Sequence, residues 1–416
     1  MQIKCLGGFR EVGRNAVLID GKEKILMDYG AKVETGERPM EAGHVNSILL
    51  AHPHLDHSGT VPHLYKQGRP QAYSTVSTFE QANLLLHDSM KVARMRGREQ
   101  PFSKRDVERF EKHRVFMTYN QCLETRGGTV IEAMDAGHVP GSLMFIVEIG
   151  RKRIMYTSDF KLEPTRLLKG ADITNAKDID VLIMETTYSS RDHEPRHEVE
   201  KKLLRIVKET IANGGVAVLP SFAVGRSAEL LLVLNELGGK VPVYMDGMAK
   251  QATKIALKYP EFLRDAKELR KAVERAEMVT TDEERAKITK KPCVIVTTGG
   301  CLEGGPVVSY IKQLYTRPEC SLIFTGFQIP KTAGRYLMDT GRFVTEGFDL
   351  KLKMRTEFLD FSAHAGRTDL LEIVQEISPK KVICMHGEYA ERFATELRGR
   401  FEVEAIAPMN GDVVKI

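Results

Sequence analysis

Three histidines and an aspartate lie within six residues of each other, directly after an apolar segment. Residues 48–51 read Ile-Leu-Leu-Ala, which is typical of a buried strand, and residues 52–57 read His-Pro-His-Leu-Asp-His. A turn at a strand end can direct several such side chains at one point. Imidazole and carboxylate groups suit zinc, and a ligand set without cysteine favours a catalytic site with an open position. The alternative is a solvated histidine-rich loop, but chance seldom places these residues in this order after a buried strand.

Other short apolar runs also lead to polar residues that could project from the end of a strand. We predict strands from their length and composition. The predicted strands and the side chains that end or follow them are Lys24–Asp28 with Asp28 itself, 129–133 with His138, 153–157 with Asp159, 181–184 with Glu185, 358–361 with His364 and 382–385 with His386.

The length of the chain predicts two compact lobes. A chain of 416 residues is too long for one ordinary hydrophobic core, although either lobe could combine distant segments. The apolar fraction of 42% and the charged fraction of 28% are those of a globular protein. After Ser189, predicted helices at Glu198–Ala212 and Arg226–Leu237 alternate with strands such as Val216–Leu219, which indicates a parallel α/β lobe. The charged stretch Glu261–Lys291 is interpreted as a solvated helical surface.

The histidine cluster resembles the His-x-His-x-Asp-His signature of the metallo-β-lactamase superfamily. The remaining motifs of that superfamily follow in its order: Asp28 at a strand end, His138 in Gly-His-Val-Pro-Gly-Ser at 137–142, and Asp159 in Ser-Asp-Phe at 158–160. The resemblance implies a four-layer αββα fold and two zinc ions, with Asp28 orienting the ligands. By the same resemblance, His52, His54 and His138 would hold one zinc, Asp56 and His57 would hold the other, and Asp159 would bridge the two.

Three later motifs resemble the β-CASP nucleases, a group that includes ribonuclease J and the cleavage nuclease of the polyadenylation machinery. Glu185 in Met-Glu-Thr-Thr-Tyr at 184–188 matches motif A, and His364 in Phe-Ser-Ala-His-Ala at 361–365 matches motif B. His386 in Met-His-Gly-Glu at 385–388 matches motif C. The resemblance implies that His386 completes the second zinc site. It also implies that His364, hydrogen-bonded to Glu185, is the general acid beside the leaving oxygen.

The β-CASP resemblance covers nearly the whole chain and sets the expected domains and function. A metallo-β-lactamase domain of residues 1–188 and 358–416 would be interrupted by an inserted β-CASP α/β domain of residues 189–357. The best match is the shorter archaeal polyadenylation-factor-like nucleases, without KH domains, because the first domain begins almost at Met1. The resemblance implies hydrolysis of single-stranded RNA by a hydroxide shared between two zincs about 3.5 to 4 Å apart. Catalysis would depend on His364, Glu185, Asp56 and Asp28. Whether cleavage is internal or proceeds from the 5′ end stays open.

Two segments of the inserted domain could offer backbone N–H groups to RNA phosphates. Residues 220–226 join a strand to a helix, and residues 297–305 form a glycine-rich turn. A purely structural turn is at least as good an interpretation of the second segment, and Arg226 could simply pair with an acid on its helix. Residues 326–335 resemble the Gly-aromatic-Gln segment of the family, but Pro330 and Lys331 replace the small residues expected there. The predicted RNA contacts are Ser221, Arg226, Gly299, Gly300, Gln328, Arg335 and Ser362.

Two other functions compete with a ribonuclease. A small-molecule metallohydrolase, such as a thioesterase or glyoxalase, would not need the insert of about 170 residues between Glu185 and His364. A non-catalytic RNA-binding paralogue would have lost ligands, whereas every expected ligand is present. The insert and the complete ligand set therefore favour the nuclease.

Charge and cysteine content add little about partners. The formal net charge of +5 permits RNA but does not by itself indicate it. The six cysteines form no Cys-x-x-Cys pair and are predicted to be small core residues in a reducing interior. No segment approaches the roughly 18 apolar residues of a membrane span, so we expect a cytoplasmic protein without a membrane partner. A homodimer is plausible by resemblance alone.

Overall fold

The described chain divides into two compact units. The computed structural model describes residues 1–99, 101–345 and 347–416. Unit 1 consists of Met1–Pro164, Gly170–Asp192 and Ala363–Ile416, and unit 2 consists of Thr165–Lys169 and His193–Ser362. Unit 1 is therefore discontinuous in sequence, and most of unit 2 is an insertion into it.

Unit 1 contains two β-sheets and several helices. Within the described residues its strands are β1 (Gln2–Gly7), β2 (Ala16–Asp20), β3 (Lys24–Met27), β4 (Ser47–Leu49), β5 (Gln71–Thr75), β6 (Arg114–Met117), β7 (Gln121–Glu124), β8 (Val130–Asp135), β9 (Leu143–Ile149), β10 (Lys152–Tyr156), β11 (Val181–Glu185), β20 (Lys381–Met385), β21 (Glu404–Ile406) and β22 (Val413–Lys415). Its α-helices are α1 (Leu55–Ser58), α2 (Val76–Met95), α3 (Lys104–Lys112), α11 (Arg367–Ile377) and α12 (Ala390–Arg400), and a 3₁₀ helix spans Val61–Tyr65.

Each sheet of unit 1 has an antiparallel part and a parallel part. The strand order is β22-β1-β2-β3-β4-β5-β6 in the first sheet and β21-β20-β11-β10-β9-β8-β7 in the second. Strands β3 to β6 are parallel in the first sheet, and β10, β11, β20 and β21 are parallel in the second. The carboxyl ends of parallel neighbours lie at one edge of a sheet, where the connecting loops can bring polar groups together.

The hydrophobic core of unit 1 consists of three apolar layers, one between the two sheets and one between each sheet and its helices. Ile183 and Leu49 pack between the two sheets. Their neighbours in sequence point the other way: Leu182 packs toward α11 and α12, and Ile48 toward α2 and α3. Strands buried on both faces are continuous apolar runs, as parallel strands covered by helices require. The result is the predicted four-layer αββα arrangement, which is confirmed.

Unit 2 alternates strands and helices. Within the described residues its strands are β12 (Val216–Ser221), β13 (Val243–Asp246), β14 (Ala276–Val279), β15 (Cys293–Thr298), β16 (Ser321–Phe324), β17 (Arg342–Thr345), β18 (Phe348–Lys351) and β19 (Arg355–Phe358). Its α-helices are α4 (Arg196–Ala212), α5 (Arg226–Leu234), α6 (Ala249–Lys258), α7 (Ala266–Glu274), α8 (Asp282–Ile288), α9 (Pro306–Leu314) and α10 (Ala333–Thr340), with 3₁₀ helices at Asn235–Leu237 and Pro260–Phe262.

The main sheet of unit 2 is parallel throughout. Its order is β14-β13-β15-β12-β16-β19, and β17 and β18 form a separate antiparallel hairpin. Alternate residues of β15 face opposite cores: Val294 and Val296 pack into one, Cys293 and Ile295 into the other. A central sheet covered by helices on both faces confirms the predicted parallel α/β lobe.

The interpretation of the charged stretch Glu261–Lys291 as a solvated helical surface is right for its two helices and wrong for the strand between them. The stretch contains helices α7 and α8 with strand β14 between them, at the edge of the sheet. In β14 only the first and last residues, Ala276 and Val279, are buried, whereas Glu277 and Met278 are exposed. A strand of four residues whose burial does not alternate gives almost no periodic signal, so its charged flanks concealed it.

The cysteines follow the prediction only in part. Cys5, Cys293, Cys320 and Cys384 are buried, but Cys122 is exposed and Cys301 is half-buried. Among the described helices, none is both long and apolar enough to cross a membrane.

The predicted domain boundaries, after residues 188 and 357, stay a prediction. The compact units change at 192 and 362, and unit 2 also includes Thr165–Lys169, which lies inside the range predicted for the first domain. Backbone N–H groups of Arg166 and Leu167 donate to the carboxylate of Glu229 at 3.1 and 2.8 Å. These bonds fasten the short segment to helix α5.

Candidate metal centre

All seven predicted metal ligands lie in unit 1, in the loops or, for Asp56 and His57, in the short helix α1, that follow the carboxyl ends of strands. These loops meet because the strands that precede them share a direction within each sheet. The ligands and the strands that they follow are His52, His54, Asp56 and His57 after β4, His138 after β8, Asp159 after β10 and His386 after β20.

The first donor cluster combines three imidazoles and one carboxylate. His52, His54, His138 and Asp159 each offer one ligand atom, and these atoms all lie within 4.8 Å of one another. Asp159 Oδ2 lies 3.5 Å from His52 Nε2 and 3.7 Å from His138 Nε2. His138 Nδ1 donates to the carbonyl oxygen of Ala363 at 2.9 Å, which leaves His138 Nε2 as a lone-pair donor that faces the cluster.

The second donor cluster combines two imidazoles and two carboxylates. Asp56, His57, Asp159 and His386 place their ligand atoms within the same 4.8 Å limit. Asp56 Oδ2 lies 3.3 Å from His386 Nε2 and 3.8 Å from His57 Nε2. Asp159 belongs to both clusters, because its Oδ2 is 3.4 Å from His57 Nε2. One carboxylate thus faces both sets of nitrogen donors.

The residues present fit two zinc ions. Imidazole nitrogens and carboxylate oxygens are the donors of catalytic zinc, and a shared carboxylate suits a two-metal site. His52 is fully buried and its Nε2 has no hydrogen-bond partner within the described residues. A buried polar atom without a partner costs free energy, so a bound cation at this atom would remove that cost.

Asp28 orients one of these imidazoles without belonging to either cluster. Its Oδ2 lies 2.6 Å from His57 Nδ1, and its Oδ1 accepts the N–H of Ala51 at 2.8 Å. The carboxylate therefore fixes the proton on Nδ1 and directs His57 Nε2 toward the second cluster. The phenol of Tyr156 also donates to Asp28 Oδ2, at 2.8 Å.

Two neighbours of the centre were not predicted from the sequence. Tyr156 is the last residue of β10, and Asn15 immediately precedes β2. The Asn15 carboxamide nitrogen lies 2.9 Å from His57 Nε2. Neither residue type is a preferred zinc ligand, and neither stands in a motif of metal-binding residues, so the sequence offered no signal for them.

Three loop residues of the centre have left-handed backbone conformations. The φ angles are +55° at Asp28, +51° at Ser158 and +49° at His386. Such angles are uncommon for residues other than glycine and cost free energy. Their occurrence in three separate loops indicates that the surrounding structure, and not local preference, fixes the conformation of these loops.

Burial and neighbouring charges prepare the donors of the first cluster for a cation. Burial lowers the pKa of His54 to about 4 and lowers the pKa values of His52 and His138 well below the usual range, so these imidazoles are neutral. Burial opposes ionisation of Asp159 too, but the adjacent imidazoles, His57 foremost, hold its pKa well below the usual carboxyl range. Neutral imidazoles and an ionised carboxylate are the protonation states that zinc requires.

His364 pairs with Glu185 at the border of the second cluster. Its Nδ1 lies 3.0 Å from Glu185 Oε2, and its Nε2 lies 3.9 Å from Asp159 Oδ2. Glu185 is buried and also accepts the N–H of Phe160 at 3.0 Å. Burial alone would lower the pKa of His364, but Glu185 and Asp159 outweigh it and raise the pKa to about 9. The pair therefore holds a proton at the centre.

The predicted RNA contacts lie in unit 2, and the structure gives several of them internal partners. The Ser221 hydroxyl is buried and bonds to the Ser227 hydroxyl at 2.7 Å. Arg335 pairs with Asp339 at 2.9 Å. Arg226 donates to the carbonyl oxygen of Thr325.

The remaining predicted RNA contacts include two turn residues. Gly299 has a φ of +111°, which only glycine adopts readily, so its turn has a structural reason. Gln328 is buried and donates to the carbonyl oxygen of Gly300 at 2.9 Å. Ser362 is buried, and its N–H donates to Asp360 at 3.0 Å. Lys331, noted as unusual for its segment, has a φ of +69°, a strained angle for any residue other than glycine.

Three family models match the chain in the order that the motifs implied. Residues 16–187 match the metallo-beta-lactamase superfamily domain, and residues 228–337 match the Beta-Casp domain. Residues 349–408 match the Zn-dependent metallo-hydrolase RNA specificity domain. The first and third matches together cover strands β4, β8, β10 and β20, which lead into the centre.

Curated relatives are similar over the whole chain. Probable RNase MJ4 of Methanocaldococcus jannaschii is 35% identical over 100% of both chains. RNase aCSPSF2 of Saccharolobus solfataricus is 34% identical over 100% of this chain and 85% of its own. Transcription termination factor FttA of Thermococcus kodakarensis is 32% identical over 100% of this chain and 71% of its own.

A solved structure shares the fold. A protein of unknown function from Enterococcus faecalis V583 superposes with a TM-score of 0.63 over 100% of this chain and 99% of that one, at 14% sequence identity. The identity is too low to carry more than the fold. The full-length relatives and the three domain matches confirm the resemblance, and the chain belongs to the β-CASP family of the metallo-β-lactamase superfamily, alongside archaeal RNases related to the cleavage and polyadenylation specificity factor.

Proposed function

We propose that this chain is a two-zinc ribonuclease that hydrolyses phosphodiester bonds of single-stranded RNA in RNA processing or decay. The observation that carries the proposal is the pair of donor clusters that share Asp159, with the His364–Glu185 pair beside them. The RNA specificity domain at residues 349–408 and the relatives named RNase support RNA as the substrate.

His364 is the proposed general acid. Two bound zinc ions would activate the attacking water and neutralise the charge of the phosphate oxygens. Glu185 accepts a hydrogen bond from His364 Nδ1–H, and the Nε2 side of the protonated imidazole faces the shared carboxylate of Asp159. From there it would donate a proton to the departing 3′ oxygen as the bond from phosphorus to that oxygen breaks. The products would carry a 5′ phosphate and a 3′ hydroxyl.

The proposed zinc ligands are divided as the two donor clusters are. His52, His54 and His138 would hold one ion, and Asp56, His57 and His386 the other. Asp159 would bridge them. A third group of Asp159, Glu185, His364 and His386 also has donor spacing, but the carboxylate of Glu185 is engaged by His364 and by Phe160 N–H. We therefore keep Glu185 and His364 out of the ligand set.

The proposal includes internal cleavage as the main mode and 5′-to-3′ exonucleolysis as a second mode of the same centre. The main rival is a small-molecule metallohydrolase. The rival does not account for unit 2, which has its own parallel sheet and cores, nor for the match to an RNA specificity domain. The predicted homodimer and cytoplasmic location stay predictions.

The test compares the zinc-loaded protein with its His364→Ala variant. Each is incubated with single-stranded RNA labelled at either end, products are resolved on a denaturing gel, and zinc content per chain is measured in the same samples. We expect the variant to keep its zinc and to lose nearly all cleavage, because proton donation by a positioned side chain contributes about 10²- to 10⁴-fold to rate.

The matched control is His87→Ala, because His87 is an exposed histidine on helix α2 of the same unit. It should cleave as the unaltered protein does. Loss of both zinc ions from the His364→Ala variant would show that the general-acid role assigned to His364 is wrong. Absence of cleavage by the zinc-loaded protein would favour a non-catalytic RNA-binding protein.

A further inference from the structure

Two exposed phenylalanine rings lie in loops at the carboxyl edge of the parallel sheet of unit 2. Phe222 follows β12 directly, and Phe327 follows β16 by three residues. Their exposed fractions are 38% and 43%. The strands β12 and β16 are hydrogen-bonded neighbours, so the two loops adjoin each other. Two partly exposed rings on adjoining loops leave aromatic surface in contact with solvent, where a ligand could cover it.

The ring of Phe222 lies against two glycines that have no conformational reason to be glycine. A Cβ atom on Gly326 would lie 3.0 Å from Phe222 Cε2, and one on Gly300 would lie 3.6 Å from Cε1. Neither glycine has a left-handed φ, the backbone conformation in which glycine is favoured. The space that these glycines leave is therefore occupied by the ring, with one glycine near each of its edges.

One buried side chain holds both glycines in place. Gln328 Nε2 donates to the carbonyl oxygens of Gly300 and Gly326 at 2.9 and 3.0 Å. Gln328 is only 3% exposed. A third glycine makes room for it, because a Cβ on Gly334 would lie 2.0 Å from Gln328 Oε1. Gln328 therefore fixes the two backbone segments that contact the Phe222 ring.

The same loops supply positive charge. Lys331 lies in the loop that begins with Gly326, and it keeps a side chain at a φ of +69° despite the strain. Helices α5 and α9, nine residues each, begin where the loops after β12 and β15 end. A helix N-terminus presents backbone N–H groups and a partial positive charge. An aromatic ring can stack on the base of a nucleotide, and the positive charge around it can bind the phosphate of the same nucleotide.

We propose that Phe222, with Phe327 in the adjoining loop, forms a stacking platform for an unpaired base of single-stranded RNA. The inference rests on the proposed function, and it adds a binding subsite to it. Every base has a face that can stack on an aromatic ring, so the platform would bind RNA without regard to sequence. Lys331 would contact an adjacent phosphate.

A third exposed phenylalanine of unit 2 provides a contrast. Phe348 on strand β18 is 41% exposed, but the ammonium of Lys312 covers its ring, 3.4 Å from the ring centroid. Phe348 also lies on the separate β17–β18 hairpin, outside the main parallel sheet. Phe348→Leu is therefore the matched control for loss of an exposed ring.

The test measures binding of a short, unstructured, dye-labelled RNA by fluorescence anisotropy. All proteins also carry His364→Ala so that the RNA stays intact. Phe222→Leu keeps an apolar side chain but loses the planar ring, and we expect it to weaken binding by about tenfold, within the range known for base stacking. Phe222→Tyr keeps the ring and should restore affinity. Phe327→Leu should weaken binding, and Phe348→Leu should not.

A series of RNAs, each lacking one base, identifies stacking specifically. In the His364→Ala protein, one abasic position should weaken binding as much as Phe222→Leu does, and combining the two changes should cost no more than either alone. Unchanged affinity of Phe222→Leu, or an abasic penalty that persists in this variant, would overturn the platform. If the platform variants lose affinity while unaltered, zinc-loaded protein cleaves no RNA, the proposed catalysis fails and the binding subsite stands.

Discussion

Glu185 determines the protonation of His364 more than any other charged neighbour does. Burial lowers the pKa of the imidazole, but the carboxylates of Glu185, Asp159 and Asp56 raise it to about 9. A general acid must be protonated to act, so cleavage should decline as the pH rises through that pKa. At the residue scale, the pair therefore links the pH dependence of the reaction to one carboxylate.

The substitution Glu185→Gln should move the alkaline decline of kcat to lower pH. Glutamine removes the negative charge that raises the His364 pKa most, so the pKa falls and the imidazole loses its proton earlier as pH rises. Bound cations would lower the pKa in both proteins and leave the direction of the difference unchanged. A pH profile of RNA cleavage measures it. An alkaline limb that stays in place or moves to higher pH would contradict the assignment.

The motif residues of the centre could be predicted as a group because they stand in the order of the family motifs that they resemble. His138, Asp159 and His386 also follow apolar runs that the sequence shows plainly, and they converge in unit 1. Asn15 and Tyr156 could not be predicted, because their contacts depend on tertiary packing: Asn15 reaches His57 from another loop of the same sheet, and Tyr156 reaches Asp28 from the other sheet. Residue patterns report strand ends better than they report tertiary contacts.

The short helix α1, which carries Asp56 and His57, is packed on the backbone of Gly30. A Cβ atom at Gly30 would lie 1.7 Å from the carbonyl oxygen of Asp56. The neighbouring N–H of Ala31 donates to the carbonyl oxygen of Leu55 at 2.8 Å. At the element scale, the close approach of these two loops places the second donor cluster.

Gly30→Ala should displace α1, destabilise the protein and lower its zinc content. Overpacking of this kind costs about 1 to 3 kcal/mol of unfolding free energy. The control is Gly399→Ala, because Gly399 is exposed in helix α12 and its Cβ would meet no atom within 4 Å. Alanine there should stabilise the protein by up to about 1 kcal/mol. Chemical denaturation with zinc analysis measures both, and Gly30→Ala with normal zinc content would refute the argument.

Strands and helices whose apolar residues recur with a clear period could be predicted from the sequence, and elements without such a period could not. The predicted strand Ala16–Asp20 matches β2 in full, and the predicted helix at Glu198–Ala212 differs from α4 by two residues at its start. Strand β14 was missed because only two of its four residues are buried. Burial creates the periodic signal, so a short edge strand lacks it.

At the scale of the whole molecule, each unit has hydrophobic cores of its own, but every residue of the donor clusters belongs to unit 1. Ligand binding stabilises the structure that contains the site. Metal removal should therefore loosen the loops at 52–58, 137–142 and 158–160 and leave strands β12, β15 and β16 protected. Hydrogen exchange by mass spectrometry, with and without a chelator, measures this. Uniform deprotection of both units would contradict it.

Cleavage in water enriched in ¹⁸O, followed by mass spectrometry of the RNA products, tests the central claim most directly. Direct attack of water on phosphorus, with His364 protonating the departing oxygen, predicts a 5′ phosphate that carries one ¹⁸O atom and a 3′ hydroxyl that carries none. Products that end in a 2′,3′-cyclic phosphate without ¹⁸O would show that the ribose hydroxyl attacks instead, and would contradict zinc-dependent hydrolysis at this centre.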